Sequence, residues 1–141
     1  MQDQQASMRA AIDIGSNTIH IVVARSKPDD LDIVADEVEL VRIGESVNAN
    51  GKISTEKRDA AIATLRQYKE LAQQHGAKEI LAVATEAIRK ASNSVEFLQD
   101  VQRETGLQVH LIDGDVEAVL TFYGATYEQL RKPGAAASAR S

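Results

Sequence analysis

Apolar residues repeat at two different spacings along this chain, and the change in spacing divides it into two parts. In the first part, they form short runs at residues 9–14, 18–25 and 31–43, separated by turn-forming residues. Short runs rich in Ile and Val predict β-strands. Because the connections are short, the three strands are predicted to form a meander. The third run mixes apolar with charged positions, which predicts a partly exposed strand.

From residue 54 onward, the apolar positions follow a helical period instead. Ser54 has the residue type of a helix N-cap, with Glu56 in the first turn, and it follows a predicted loop at residues 48–52. Gly76 is predicted to cap the C-terminal end of this helix. The apolar residues at helical spacing are Ala61, Ile62, Leu65, Tyr68, Leu71 and Ala72.

The remaining pattern alternates between strands and helices. Residues 80–84 and 107–112 are apolar runs that predict two further strands. Between these strands, Asn93 and Glu96 have the spacing of a capping box that opens a helix, and Gly106 ends that helix.

A last helix is predicted to begin at Asp113 or Asp115. The order β-β-β-α-β-α-β-α predicts an α/β fold with a five-stranded mixed sheet, because strand-helix-strand crossovers are right-handed and pair their strands in parallel. The predicted organisation is a disordered N-terminus (1–8), one folded subdomain (9–131) and a low-complexity tail (132–141).

The composition excludes several classes of function. A formal net charge of −5 and an aromatic content of 4% argue against a nucleic-acid or anionic-membrane surface. No apolar run approaches the ~18 residues of a membrane span, and the N-terminus lacks the features of a signal peptide. Cysteine is absent, which excludes disulfides and thiolate chemistry. We therefore expect a cytoplasmic protein that binds neither nucleic acid nor membrane.

The turn between the first two predicted strands carries the strongest candidate chemistry. Gly15 permits a positive φ and a close approach of the backbone to an anion, and Asn17 also tolerates the left-handed region. Ser16 and Thr18 add side-chain donors to the backbone N–H groups, so the turn could hold phosphate. Asp13 could hold a metal ion beside that phosphate. An ordinary hairpin turn contains the same residue types, so this segment alone leaves both interpretations open.

Two further segments follow strands whose carboxyl ends are expected to meet that turn. Arg89 could present its guanidinium to phosphoryl oxygens or could be a surface arginine. Glu117 could activate a water molecule or could be a helix-dipole partner. Asp113 and Asp115 could supply metal ligands or could be helix caps. Three histidines share no metal-ligand spacing and are interpreted as structural: His20, His75 and His110.

Three segments, taken in order, resemble one known family. They are residues 11–18 (AIDIGSNT), 84–93 (ATEAIRKASN) and 109–118 (VHLIDGDVEA). Over about residues 9–130, the chain resembles the N-terminal domain of the exopolyphosphatase / guanosine pentaphosphate phosphohydrolase (Ppx/GppA) family. That family belongs to the superfamily of acetate and sugar kinases, chaperone ATPases and actin.

The resemblance implies a fold, an activity and a set of roles. The fold would be an RNase H-like subdomain of the actin-like ATPase superfamily, and the reaction would be hydrolysis of terminal phosphoanhydride bonds of polyphosphate or pppGpp with Mg²⁺. Glu117 would be the catalytic base and Arg89 would bind phosphate. The turn from Gly15 to Thr18 would cradle phosphate, and Asp13 would help to hold the metal.

The chain also departs from the family pattern. Asp113 adds a negative charge near the implied phosphate path, and the sequence contains neither the family's second phosphate loop nor its second lobe. We therefore expect a truncated or fragmentary member, completed by a homodimer or by a missing C-terminal lobe. Two alternatives stay open: a non-catalytic phosphate- or nucleotide-binding module, and a fragment of a kinase of the same superfamily.

Overall fold

The computed structural model describes residues 8–27 and 30–111, which form a five-stranded sheet with helices packed on it. The strands are β1 (Met8–Ile14), β2 (Thr18–Lys27), β3 (Asp30–Leu40), β4 (Glu79–Ala84) and β5 (Val109–Leu111). The helices are α1 (Ile43–Asn50), α2 (Thr55–Gln74), α3 (Glu86–Lys90) and α4 (Ser94–Thr105). The five predicted strands are confirmed, and the short helices α1 and α3 are additions to the predicted order.

The sheet is mixed, as predicted. Its strand order is β3-β2-β1-β4-β5. β1 and β2 pair antiparallel, as do β2 and β3, and these three strands form the predicted meander. β4 pairs in parallel with both β1 and β5, because each connection crosses over through helices.

The register brings several strand ends to one edge of the sheet. Ile14, the last residue of β1, lies opposite Ile19 in the hairpin and opposite Ala84 at the end of β4. Ala84 in turn lies opposite Leu111, the last residue of β5. The β1–β2 turn, the start of α3 and the end of β5 therefore share one edge.

Alternation along the strands buries one face of the sheet under α2 and α4. The strand residues of this core are fully buried: Ala10, Ile12, Ile14, Ile19, Ile21, Val23, Ala82 and Ala84. Leu65 and Tyr68 of α2 and Phe97 and Val101 of α4 pack against them. Successive side chains of a strand point to opposite faces of the sheet. Because Ile12 and Ile14 point into this core, the side chain of Asp13 lies on the opposite face.

The third strand is shorter than predicted. β3 ends at Leu40, whereas the pattern predicted a strand to residue 43, and α1 covers most of the predicted loop at residues 48–52. The backbone N–H groups of Val41 and Arg42 both donate to the carbonyl oxygen of Asn17, at 2.9 and 2.8 Å. The chain therefore leaves the sheet three residues earlier than predicted, and Arg42 adopts a positive φ of 60°.

Helix ends agree with the predictions in part. The Ser54 hydroxyl caps α2 by accepting a hydrogen bond from the Lys57 N–H at 3.2 Å. Asn93 is the N-cap of α4, as predicted, but its side chain makes no cap hydrogen bond, so the capping box itself does not form. The C-cap of α2 is His75 rather than Gly76, although Gly76 follows it with a positive φ of 77°.

Several predictions concern residues 1–7, 28–29 and 112–141, which lie outside the described residues. The last helix, the tail and the domain boundaries therefore stay predictions. In the part of the chain that the structure describes, no helix is both long enough and apolar enough to cross a membrane. The cytoplasmic location also stays a prediction.

Candidate functional site

The β1–β2 turn is a tight hairpin at the edge where β1 and β4 end. The Gly15 N–H donates to the Thr18 carbonyl oxygen at 2.9 Å, and Ser16 and Asn17 form the exposed tip. Neither Gly15 nor Asn17 has a positive φ, so the turn does not use the left-handed conformation that these two residue types permit. The turn instead gains its shape from contacts with another segment of the chain.

That segment lies at residues 41–44, between β3 and α1. Besides the two hydrogen bonds to the Asn17 carbonyl oxygen, the Gly44 N–H donates to the Ser16 carbonyl oxygen at 2.8 Å. The carbonyl oxygens of Ser16 and Asn17 therefore both accept hydrogen bonds from residues 41–44. Among the described residues, none accepts a hydrogen bond from the backbone N–H of Ser16 or Asn17. These two donors remain available to an anion, as in other backbone nests.

Two buried polar atoms beside the turn have no hydrogen-bond partner among the described residues. They are Oδ1 of Asp13 and Oγ1 of Thr18. A buried polar atom without a partner is destabilising, and such atoms often bind an ion or a ligand. Asp13 and Thr18 flank the turn on β1 and β2, so both atoms belong to the same part of the sheet edge.

Burial dominates the electrostatics of Asp13. Desolvation raises the pKa of its carboxyl, and the nearby His20 imidazole lowers this pKa to a smaller extent. His20 lies directly opposite Asp13 on β2, and its Nε2 is 2.7 Å from Oδ1 of Asp36 on β3. Asp13 is thus a largely desolvated carboxylate with one histidine beside it, an environment in which a cation would favour the ionised form.

The segment after β4 reaches the same edge. The Thr85 N–H donates to the Ile14 carbonyl oxygen at 3.3 Å, which fixes the start of α3 beside the end of β1. Arg89 lies in the last turn of α3, and its side chain is exposed. The structure therefore brings together two of the three predicted segments, the turn and the Arg89 helix.

The third predicted segment is not described. β5 ends at this edge, but Asp113, Asp115 and Glu117 lie outside the described residues, and their roles stay predictions. Among the residues that are described, no three His, Asp or Glu side chains cluster closely enough to hold a metal ion. Asp13 would need ligands from a bound phosphate, water or another part of the chain.

Sequence reasoning missed two contributors to this site. Residues 41–44 carry no motif of their own, although Gly44, directly after the predicted strand, could have signalled close backbone contact. Asn93 was interpreted as a helix cap, but its side chain bonds to the backbone of Ile53. The sequence gives no local signal for the partner in either contact, because the partners are distant along the chain.

Comparisons with known proteins match this arrangement to one family. The sequence profile of the Ppx/GppA phosphatase family matches residues 22–135. Exopolyphosphatase 1 of Mycobacterium tuberculosis is 32% identical over 112 residues, covering 79% of this chain and 33% of the relative. The bifunctional 3-dehydroquinate synthase/phosphatase of Fusobacterium nucleatum is 31% identical over 124 residues, covering 83% of this chain and 19% of the relative.

Solved structures lead to the same family. The Aquifex aeolicus Ppx/GppA family member superposes with a TM-score of 0.75 at 35% identity, covering 79% of this chain and 37% of that one. An exopolyphosphatase from Cytophaga hutchinsonii gives a TM-score of 0.74 at 28% identity, covering 81% and 36%. The predicted α/β fold with a five-stranded mixed sheet is thereby confirmed, and it is the fold of these solved relatives.

The chain spans about a third of the length of the exopolyphosphatases that it matches. The matched family profile nevertheless covers most of the chain, and the solved relatives share its sheet and helices. The resemblance suggested by the three sequence motifs is therefore confirmed: this chain belongs to the Ppx/GppA phosphatase family.

Proposed function

We propose that this chain carries the first phosphate-binding half of an enzyme that hydrolyses terminal phosphoanhydride bonds of inorganic polyphosphate or pppGpp. One observation supports this proposal most directly. Unpartnered N–H groups of the turn, two unpartnered buried oxygens and the Arg89 helix all lie at one edge of the sheet. The N–H groups, the Thr18 hydroxyl and the Arg89 guanidinium are donors that suit a chain of phosphates better than an uncharged ligand, and the Asp13 carboxylate oxygen suits a cation beside them.

In this proposal, the turn and Arg89 share the negative charge of the terminal phosphates. The N–H groups of Ser16 and Asn17 donate to phosphoryl oxygens, and the Thr18 hydroxyl gains an acceptor that it lacks among the described residues. Arg89 presents a planar, permanently charged guanidinium to further phosphoryl oxygens. Because phosphoryl transfer depends mainly on positioning and charge stabilisation, these contacts would lower the barrier.

Asp13 fits a role in binding Mg²⁺. Its unpartnered Oδ1 is a hard carboxylate oxygen, and Mg²⁺ is often held by one or two carboxylates together with substrate phosphates and water. When bound, the ion would neutralise charge on the phosphate oxygens. A cation would also compensate the desolvation that raises the pKa of Asp13.

Glu117 is the proposed general base. Its carboxylate would accept a proton from a water molecule as the water oxygen bonds to the terminal phosphorus. The bond between that phosphorus and the bridging oxygen breaks, and the bridging oxygen stays on the leaving chain. The products are orthophosphate and either a shorter polyphosphate or ppGpp. We further propose that a second copy or another lobe supplies the opposite side of the phosphate clamp.

The test is Mg²⁺-dependent release of orthophosphate from polyphosphate and from pppGpp, measured over a range of protein concentrations. We expect release by the native chain, about 10²–10⁴-fold slower release by Glu117→Gln, and unchanged binding of substrate. Glu96→Gln, which alters an exposed carboxylate on α4, is the matched control and should retain full activity.

The other outcomes separate the alternatives. Binding of substrate without release, unaffected by Glu117→Gln, would identify a phosphate-binding module instead of an enzyme. Transfer of phosphate from ATP to an acceptor would identify a kinase fragment. A specific rate that rises with protein concentration would support a clamp completed by a second copy.

A further inference from the structure

One continuous segment joins the two halves of the candidate site. The bridging segment, residues 41–53, runs from the end of β3 through α1 to the start of α2. Its first residues hold the β1–β2 turn of residues 15–18, called the phosphate turn after its proposed role. They do so through three backbone hydrogen bonds, from the N–H groups of Val41, Arg42 and Gly44. At this end, the bridging segment is therefore attached to the turn.

The other end of the bridging segment is bound to the residues that follow α3. The Asn93 side chain accepts a hydrogen bond from the Ile53 N–H at 2.9 Å and donates from Nδ2 to the Ile53 carbonyl oxygen at 3.0 Å. Next to this pair, the Ser92 N–H donates to the Gly51 carbonyl oxygen at 2.9 Å. The Asn93 amide thus acts as a clamp that satisfies both backbone groups of one residue.

The middle of the bridging segment packs against α3. Helices α1 and α3 are in contact, and the same core contains Ile43 and Val47 of α1, Ile88 of α3 and Ala91, the C-cap of α3. A core of this kind resists displacement, because interiors are close-packed. The bridging segment is therefore a rigid connection between the turn and α3.

Helix α3 needs such a connection because it is only five residues long. A helix of this length has too few internal hydrogen bonds to hold its own geometry. Its N-terminal end is fixed by the Thr85–Ile14 hydrogen bond, and its C-terminal end leads directly into the Asn93 clamp. Arg89 lies midway between these two attachments in sequence.

We propose that Asn93 is a positioning residue: through Ile53 and the bridging segment, its side chain sets the place of Arg89 relative to the phosphate turn. This inference rests on the proposed function, since it assumes that Arg89 binds phosphate. Asn93 itself does not contact the ligand. Its amide exchanges hydrogen bonds with the backbone of Ile53, 40 residues away in sequence.

The test is a double-mutant cycle on binding of tripolyphosphate with Mg²⁺, measured by titration calorimetry. Asn93→Ala should weaken binding about 10-fold, as removal of groups that orient a ligating side chain commonly does. In an Arg89→Ala background, Asn93→Ala should cause no further loss, because the residue that it positions is gone. Asn93→Asp keeps the acceptor but not the donor, so its loss should be intermediate.

A matched control separates positioning from general destabilisation. Val101→Ala removes buried methyl groups from α4 and lowers stability without touching the clamp. It should leave tripolyphosphate binding within two-fold of the native value. Equal losses from Val101→Ala and Asn93→Ala, or additive losses from Asn93→Ala and Arg89→Ala, would overturn the positioning role.

A measurement without ligand keeps this inference distinct from the proposed function. Hydrogen exchange at the Ile88 and Arg89 amides should become faster in Asn93→Ala and stay unchanged in Val101→Ala. If the native chain binds no tripolyphosphate, the proposed function is contradicted. Faster exchange at these amides in Asn93→Ala than in the native chain would still support the clamp on α3. Unchanged exchange in Asn93→Ala would contradict the clamp whatever the ligand does.

Discussion

Gly44 and Ser16 lie in direct backbone contact, with the Gly44 N–H donating to the Ser16 carbonyl oxygen at 2.8 Å. A Cβ on Gly44 would overlap with the Ser16 hydroxyl and would lie 3.3 Å from both Cβ and the carbonyl oxygen of Ser16. Glycine is favoured here by lack of space rather than by a positive φ, because a side chain would force the Ser16 hydroxyl to move. The tip of the phosphate turn is thus shaped by a residue 28 positions later in the chain.

Gly44→Ala should disturb the turn more than the fold. The added methyl group must displace the Ser16 side chain and lengthen the hydrogen bond, so tripolyphosphate binding should weaken about 10-fold, as misplaced binding groups commonly cause. Overpacking of this kind should lower the free energy of unfolding by about 1–3 kcal/mol. Calorimetric titration and urea denaturation measure the two effects.

The control for Gly44→Ala is Gly76→Ala. Gly76 has a φ of 77° and open space around its Cβ position, so alanine there strains the backbone without touching the turn. It should lower stability and leave binding unchanged. Equal effects of the two substitutions on binding would contradict the specific role of Gly44.

Asp13→Asn should stabilise the protein at neutral pH. Burial raises the pKa of Asp13 above its usual value of 3.8, so the folded state binds this proton more tightly than the unfolded state. Stability therefore falls as the pH rises from 3.8 through the raised pKa, and the penalty is complete above it. Removing the charge should raise the free energy of unfolding at pH 7 by about 0.5–2 kcal/mol.

Urea denaturation at pH 7 and below pH 3.8 tests this linkage. The gain in the free energy of unfolding from Asp13→Asn should shrink at the lower pH, where the Asp13 carboxyl of the native chain is protonated in the folded and the unfolded state. Glu96→Gln, at an exposed carboxylate, should show no comparable gain. A loss of stability in Asp13→Asn at pH 7 would mean that the ionised carboxylate is well compensated in the folded chain.

Arg42→Gly should be at least as stable as the native chain. Arg42 adopts the left-handed conformation, which costs a residue with a Cβ roughly 1–2 kcal/mol and glycine almost nothing. Its exposed ion pair with Glu45, at 3.4 Å, contributes little in compensation. The free energy of unfolding of Arg42→Val should be about 2 kcal/mol lower than that of Arg42→Gly, because β-branched residues tolerate the left-handed region worst. Thermal or urea denaturation measures this difference.

Tyr68→Phe should weaken the attachment of α2 to the sheet. The buried Tyr68 hydroxyl donates to the Ile19 carbonyl oxygen at 2.8 Å, beside the phosphate turn. Burial and the nearby acidic side chains of β3 raise the pKa of this phenol, so it stays protonated and donating at neutral pH. Loss of the hydroxyl should lower the free energy of unfolding by about 1 kcal/mol. Unchanged denaturation midpoints would show that water replaces the lost donor.

Local pattern was sufficient for most secondary structure in this protein. The alternation of Ile and Val around the Asp13–Thr18 turn predicted the hairpin, and the helical spacing after Ser54 predicted α2 with its cap. Three motifs in order were specific enough to indicate the family. These signals are local because strand alternation, helical period and capping involve residues only a few positions apart.

Contacts between distant residues decided the rest. The end of β3 depends on the Asn17 carbonyl oxygen, which draws the N–H groups of Val41 and Arg42 out of the strand pattern. Asn93 is the N-cap residue of α4, yet its amide binds Ile53, because folding places the N–H and the carbonyl oxygen of that buried residue beside it. A side chain takes the partner that the assembled fold offers, and neither the bridging segment nor the burial of Asp13 exists before that assembly.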